Sequence, residues 1–399
     1  MMNYSKNTMS VIILCSYLGI EKGDSLKPFS LGEWNLFLDD ITKVKQEPSI
    51  VFSGDSSWKE KLHYSDEQLE RINGLISRGA RAAFELDSLE KKGIKVVTLF
   101  DSDYPVLLRR KLKKKTPPLL FYAGNLELAK KIGIAVVGSR NADDECIVFT
   151  KRLVEKASRE KLIVYSGGAR GIDSISETTA LNSGSAVVSF VADSLLSKIK
   201  KPETIKSIME GRLLLFSDVK PDAGFSAARA MNRNKYIYAS AYGAFVIESD
   251  YNKGGTWNGA LESIRNDYTK TLIWNNKRYC GNQKLIENGG TAFEITEESI
   301  YSVITKKQEN FEQIDLFGSY VCADNSERAS ELDGDGKQRN KDDIYDMVKM
   351  LLVEYVGVGK RLEEISGNFN IVEQQMSIWL DCLCHDRLVV CEEGVYKKI

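Results

Sequence analysis

The sequence predicts an α/β fold built on an open, mostly parallel sheet with helices on both faces. Short apolar runs recur at Ile94–Phe100, which is also β-branched, and at Ile132–Val137, Leu162–Tyr165, Ser185–Val191, Leu213–Phe216, Ala244–Ile247 and Thr271–Trp274. Between them lie helical periodicities at Ile147–Arg159, Ser174–Asn182 and Asn258–Arg265. Strands this short and this apolar are buried on both faces, which is the signature of parallel sheets. Two of the runs break directly into a Gly/Ser/Arg turn, at Gly138 and at Gly167. Such a turn is how a parallel strand delivers backbone amides and a cation to an anionic ligand at its carboxyl end.

Residues 1–90 read as an N-terminal helical domain. Trp34, Leu36, Phe37 and Leu38 cluster, and Leu69, Ile72, Ile76, Ala82, Leu86 and Leu89 recur at helical spacing. The sheet pattern occupies residues 91–304. Residues 305–342 are too hydrophilic to build a core and read as a flexible linker. Residues 343–399 recover periodicity in three helical pieces, Ile344–Tyr355, Leu362–Ser366 and Ile371–Asp386. A strand at Leu388–Cys391, a turn and a strand at Val395–Ile399 follow. Three helices closed by a hairpin are the winged-helix arrangement, which serves DNA in some proteins and protein partners in others.

Composition bounds the function. With 43% hydrophobic residues in 399 the chain can bury a large core, and a formal net charge of −1 leaves any polyanion binding to a local basic cluster. Seven cysteines without C-x-x-C spacing suit a reduced, cytoplasmic protein. The run Val11–Leu18 is too short to cross a bilayer, so no membrane segment is expected. Cys382, Cys384 and His385 lie close together, but thiols with no metal are the simpler reading.

Four segments carry chemistry. Gly138, Ser139 and Arg140 end the first central strand, where Ser139 can cap the next helix and Arg140 supplies a planar charged fork. Ser166, Gly167, Gly168, Arg170, Gly171 and Asp173 repeat the pattern after the second strand. Arg233, Asn234 and Lys235 place two cations around an amide, suited to a backbone phosphate, although a solvated turn has the same composition. Gly254, Gly255 and Thr256 precede another helix, with Thr256 a candidate cap and phosphate ligand. Trp257 reads as core or as a base-stacking ring. The run Arg109–Lys115 is a basic extension of this path or an exposed amphipathic segment.

In order along the chain, these segments resemble the DNA-processing protein A family, also called Smf or DprA. The matching stretches are 137–140, 166–173, 233–248, 254–256 and Gly281–Gly289, with Tyr104–Pro105 and Pro117–Asn125 as lead-in. The resemblance covers roughly residues 90–295. It implies a Rossmann-like domain that binds single-stranded DNA, tends to form a homodimer and delivers strands to the recombinase RecA. This chain departs from the family where an Ala-His pair usually follows the second turn, since Ser176 and Glu177 stand there. Lys235 replaces an arginine, and Asp193–Pro202 replaces a Gly-Leu-Asp and Tyr-Pro turn, with Lys198, Lys200 and Lys201 candidates to restore charge.

No Ser/His/Asp set, acidic metal cluster or complete Walker sequence is present, so binding without a cofactor is expected rather than catalysis. The rival reading is an enzyme acting on nucleotide derivatives. Gly254, Gly255 and Thr256 with Glu262 distantly resemble a phosphoribohydrolase motif, and a closed pocket would favour that reading over an open basic groove. In the linker, Gln313, Leu316 and Phe317 resemble the peptide with which replication and repair proteins bind the DNA polymerase sliding clamp.

Overall fold

The computed structural model describes residues 4–305, apart from 22, 54–57 and 59–63, and residues 356–357, 359–369, 377, 380, 383–384, 388–392 and 394–398. The chain divides into two units, Met1–Ile314 and Asp315–Ile399.

The first unit is organised by a nine-stranded sheet. Its strands are β1 (Lys95–Thr98), β2 (Leu119–Gly124), β3 (Gly133–Val137), β4 (Ile163–Ser166), β5 (Val187–Phe190), β6 (Leu213–Ser217), β7 (Gly243–Val246), β8 (Lys270–Trp274) and β9 (Thr291–Phe293), in the order β1-β2-β6-β5-β4-β3-β7-β8-β9. From β6 to β9 every neighbour is parallel, while β2 pairs antiparallel with both β1 and β6. The seven apolar runs predicted from sequence all form strands, with ends that differ by a residue or two in either direction. At β1 the trimming has a clear cause: the Asp101 carboxylate accepts from Thr98 N (2.7 Å) and Thr98 Oγ1 (2.9 Å), turning the chain before Phe100 can extend the strand. Periodicity alone did not mark β2 or the three-residue edge strand β9, two of whose residues are exposed.

Among the described residues, four α-helices precede the sheet: α1 (Lys6–Cys15), α2 (Leu31–Lys43), α3 (Asp66–Ser77) and α4 (Gly79–Glu90). Ser30 and Ser65 start α2 and α3 with reciprocal capping boxes to Glu33 and Gln68. The run Val11–Leu14 is wholly buried in α1. At its end the buried Arg78 guanidinium donates to the carbonyls of Ile13, Ser16 and Leu18, supplying partners that the last turn of a helix lacks. These helices do not keep a core to themselves: Trp34, Phe37, Ile72 and Leu89 belong to the same buried cluster as Val96, Phe121, Val136 and Leu153. The sequence reading of 1–90 as a separate domain therefore meets a core shared with one face of the sheet. No described helix is long and apolar enough to cross a membrane.

The other helices of this unit are α5 (Val106–Leu112), α6 (Asp144–Arg159), α7 (Ile172–Asn182), α8 (Leu195–Lys198), α9 (Pro202–Met209), α10 (Ala227–Ser240), α11 (Gly254–Asn266), α12 (Cys280–Glu287) and α13 (Ile300–Thr305). Cations of the Arg109–Lys115 run reach other parts of the unit, Lys114 and Lys115 from exposed positions. Lys114 pairs with Asp39 (2.9 Å), and Lys115 donates to Asn266 Oδ1 (3.0 Å). Lys111 Nζ donates to Ala241 O (2.6 Å) at the end of α10, where Thr269 Oγ1 also donates (3.1 Å).

Burial, with Arg110 adding repulsion, lowers the Lys111 ammonium to about 7. The unfolded value is near 10.4, so between pH 7 and 10 the unfolded chain binds the extra proton and stability rises with pH. Below pH 7 both states are charged, and the cost of burying the charge is fully present. Urea titrations should show the wild type gaining about 2–3 kcal/mol over Lys111→Met between pH 6 and 9; a constant difference between them would refute this role.

The second unit contains β10 (Lys360–Arg361), α14 (Leu362–Phe369), β11 (Val389–Glu392) and β12 (Val395–Lys398), with β12 between β10 and β11 and antiparallel to both. The predicted hairpin is present, turning through Gly394 at φ +79°. Val356, Ile365, Leu380, Leu383, Val389 and Tyr396 form its core. The expected helix Ile344–Tyr355, most of Ile371–Asp386, the linker peptide with Gln313, Leu316 and Phe317, and both Cys382 and His385 lie outside the described residues.

Candidate functional site

The strand order places the site. From β3 the chain steps outward through β4, β5 and β6, then returns to the other side of β3 with β7. The loops leaving β3 and β7 consequently diverge and open a crevice at the carboxyl edge, the position where open α/β sheets bind ligands. A cavity of about 400 Å³ lies there, lined among others by Gly138, Arg140, Asp173, Tyr238, Lys253 and Thr256.

Glycines let the loops meet. A Cβ on Gly138 would fall 2.6 Å from the Ile172 side chain. At Gly171, where φ is +75°, it would collide with the Ser139 carbonyl. With both glycines in place, Ile172 N donates to Ser139 O (3.1 Å) and joins the β3 and β4 loops. Thr256 Oγ1 donates to Gly138 O (2.9 Å) and Asn234 Nδ2 to Gly255 O (3.0 Å), tying α11 and α10 to the same edge. Thr256 thus spends its proton on the β3 loop. No side chain caps α11, whose N-cap residue is Lys253.

Arg233, Asn234 and Lys235, expected at a turn, lie inside α10. Arg233 is only 4% exposed, and its Nη1 donates to Gly167 O and Phe190 O, so it holds the β4 and β5 ends from below. Beside it, burial raises Asp173 and Arg233's charge opposes the shift; Asp173 Oδ2 accepts from Ala169 N (3.4 Å). Glu177, one of the departures from the family pattern, accepts from Gly168 N (2.9 Å) and Ser189 Oγ (2.7 Å). Lys198 donates to Gly168 O (3.2 Å), bracing the same loop, and faces Asp193 at 3.6 Å. Ser166 is buried beneath it.

Two of the three expected arginines remain outward. Arg140 and Arg170 are exposed on the two joined loops, and the Arg140 guanidinium sits 5.5 Å from the centre of the Phe225 ring, itself 57% exposed. Lys235 is half-buried, with Nζ on Asn232 Oδ1 (2.6 Å) and its pKa lowered by burial. Ser139 Oγ accepts from Asn141 N (3.1 Å). On the inner wall Glu248 is raised by burial, with the Cys146 thiol donating to it at 3.4 Å. Trp257 is core, edge-on to the exposed Tyr251. Glu262 accepts from Tyr268 Oη (3.0 Å) and does not line the cavity. No metal-binding group of three or more such side chains gathers among the described residues.

Sequence reasoning missed Phe225, which lies in an aperiodic stretch, and Tyr238. Tyr238 stands one helical turn after Asn234, a spacing that becomes informative once the segment is known to be a helix.

A parallel sheet with amides and cations gathered at its carboxyl crevice defines a Rossmann-like binding protein. The family model described as DNA recombination-mediator protein A matches residues 95–304, and the chain belongs to that family. The DNA processing protein DprA of Streptococcus pneumoniae is 28% identical over 152 residues, 37% of this chain and 54% of that protein. A Mycobacterium tuberculosis relative with the same DprA name is 27% identical over 202 residues, 46% of this chain and 51% of that one. The chain thus spans about half the length of these relatives. The X-ray structure of the Streptococcus pneumoniae protein aligns with a TM-score of 0.56 at 18% identity, covering 78% of this chain and 100% of that one, a likeness of fold.

Proposed function

We propose that the chain is a recombination mediator that binds single-stranded DNA along the carboxyl edge of the sheet, without catalysis. The observation that carries this reading is the pair of exposed arginines, Arg140 and Arg170, on two loops locked together by backbone contacts. Fixed cations track a phosphate backbone, and the exposed Phe225 beside Arg140 offers a face on which a base can stack. Ser139, Lys235, Lys253 and the open start of α11 extend the path, while Arg233 and Gly167 hold it in shape. In this reading the protein works in the cytoplasm as a homodimer and hands strands to RecA. The second unit is a winged helix, and the Gln313–Phe317 segment engages the sliding clamp.

The test is fluorescence anisotropy with single-stranded and duplex oligonucleotides. Single strands should bind better, with little dependence on sequence. Arg140→Ala/Arg170→Ala should weaken strand binding by about tenfold or more and reduce the salt slope by roughly 0.7 per lost phosphate contact. Both side chains are exposed, so melting should not change. Unaltered affinity in the folded double variant would refute the assignment.

A further inference from the structure

The glycine turn after β4 has the composition of an amide cradle for an anion, yet the chain fills it with carboxylates of its own. Asp173 and Glu177 stand one turn apart on α7. Like charges at this spacing repel, so both carboxylates need donors. Asp173 Oδ2 accepts from Ala169 N (3.4 Å), and Glu177 Oε1 accepts from Gly168 N (2.9 Å) and from Ser189 Oγ of β5 (2.7 Å). Burial raises the Glu177 carboxyl, while the bonds from Ser189 and Gly168 and the charge of Lys198 oppose the shift. Lys198 Nζ in turn donates to Gly168 O (3.2 Å). Gly168 is therefore held at its nitrogen by a negative group and at its oxygen by a positive one.

Four residues further on, Ile172 N is fixed to Ser139 O (3.1 Å). Arg170 is the exposed residue between these two anchors. A phosphate arriving at this turn finds the amides of Gly168 and Ala169 already spent, and meets the Arg170 side chain instead. Holding that side chain's backbone before the strand arrives lowers the ordering cost of binding. We propose that Glu177, coupled through Gly168 to Lys198, is a positioning residue for strand binding, which sets the backbone from which Arg170 reaches a phosphate. This rests on the strand-binding reading above, and it gives a role to a residue at which the chain departs from its family.

The test is a double-mutant cycle, read by anisotropy with an oligothymidylate over a range of salt. Glu177→Ala removes the acceptor, whereas Glu177→Gln keeps an oxygen where Oε1 stands. Glu177→Ala should weaken binding about fivefold and lower the salt slope by up to roughly 0.7, the share of one phosphate contact. Glu177→Gln should stay within about twofold of wild type, and Glu177→Ala added to Arg170→Ala should cost less than about twofold more. Hydrogen exchange of the Gly168 amide reads the brace without DNA, and should quicken in Glu177→Ala but not in Glu177→Gln. Wild-type affinity in Glu177→Ala, or an equal loss with and without Arg170, overturns the proposal, since a residue that only stabilises the fold gives the second result. Should Glu177→Ala fail to fold, Lys198→Met puts the same question at Gly168 O, with the same dependence on Arg170 expected. Strand binding that needs Arg170 but neither Glu177 nor Lys198 removes this proposal alone. A wild type that binds no strand removes the strand-binding reading and this proposal with it.

Discussion

Arg233→Ala should cost the Met1–Ile314 unit about 3–5 kcal/mol, the range for removing one partner from a buried charged network. The guanidinium is the shared donor for Gly167 O and Phe190 O, and its charge opposes the upward shift of Asp173. Its loss leaves two buried carbonyls and a carboxylate uncompensated. Asp173 would then rise further above its unfolded value near 3.9, so the folded variant would bind a proton that the unfolded chain does not. Stability of the variant should fall as pH rises through that window and recover on acidification. Urea unfolding at pH 5 and 8 checks both magnitude and sign. A loss below 1 kcal/mol at both values would mean that the network closes without Arg233.

Gly171→Ala should cost about 2–4 kcal/mol and weaken strand binding beyond what the lost stability explains. The residue sits at φ +75°, ψ −132°, a conformation that L side chains rarely adopt, and its Cβ would strike the Ser139 carbonyl and approach the Arg140 backbone at 2.7 Å. Gly184→Ala is the control for positive φ without a collision: φ is +76° there, with nothing within 4 Å of the added Cβ. It should carry the backbone cost alone, about 1 kcal/mol. Denaturation and anisotropy on both variants separate strain from collision. Equal stability losses and equal affinities would mean that the β3 and β4 loops are not coupled through this contact.

Seven strands were legible because each is a short apolar run, and the glycine turns were legible because few other residues permit such close approach. Strand β9 was not, since three residues with two exposed carry no periodicity. The position of Arg233 was illegible for a different reason. Its charge suggests solvent or phosphate, and only the folded chain brings Gly167 and Phe190 to it from more distant strand ends. The N-terminal helices display an apolar face in sequence, but a face does not name what it packs on. Their shared core with the sheet emerges only from the tertiary arrangement.

That shared core has a consequence for the order of assembly. Tyr122 of β2 pairs with Phe216 of β6, so the first two strands find their place in the sheet only after β3 to β6 have been made. Until then the helices from 1–90 and the β1–β2 pair lack the rest of the core that they share with the sheet. During synthesis the growing chain must carry this apolar material through the time it takes to make the next hundred or so residues, a period of several seconds at about 5–20 residues per second. Residues 1–90 are thus made before part of the core that shelters them, which makes them a segment dependent on chaperones and ill suited to truncation.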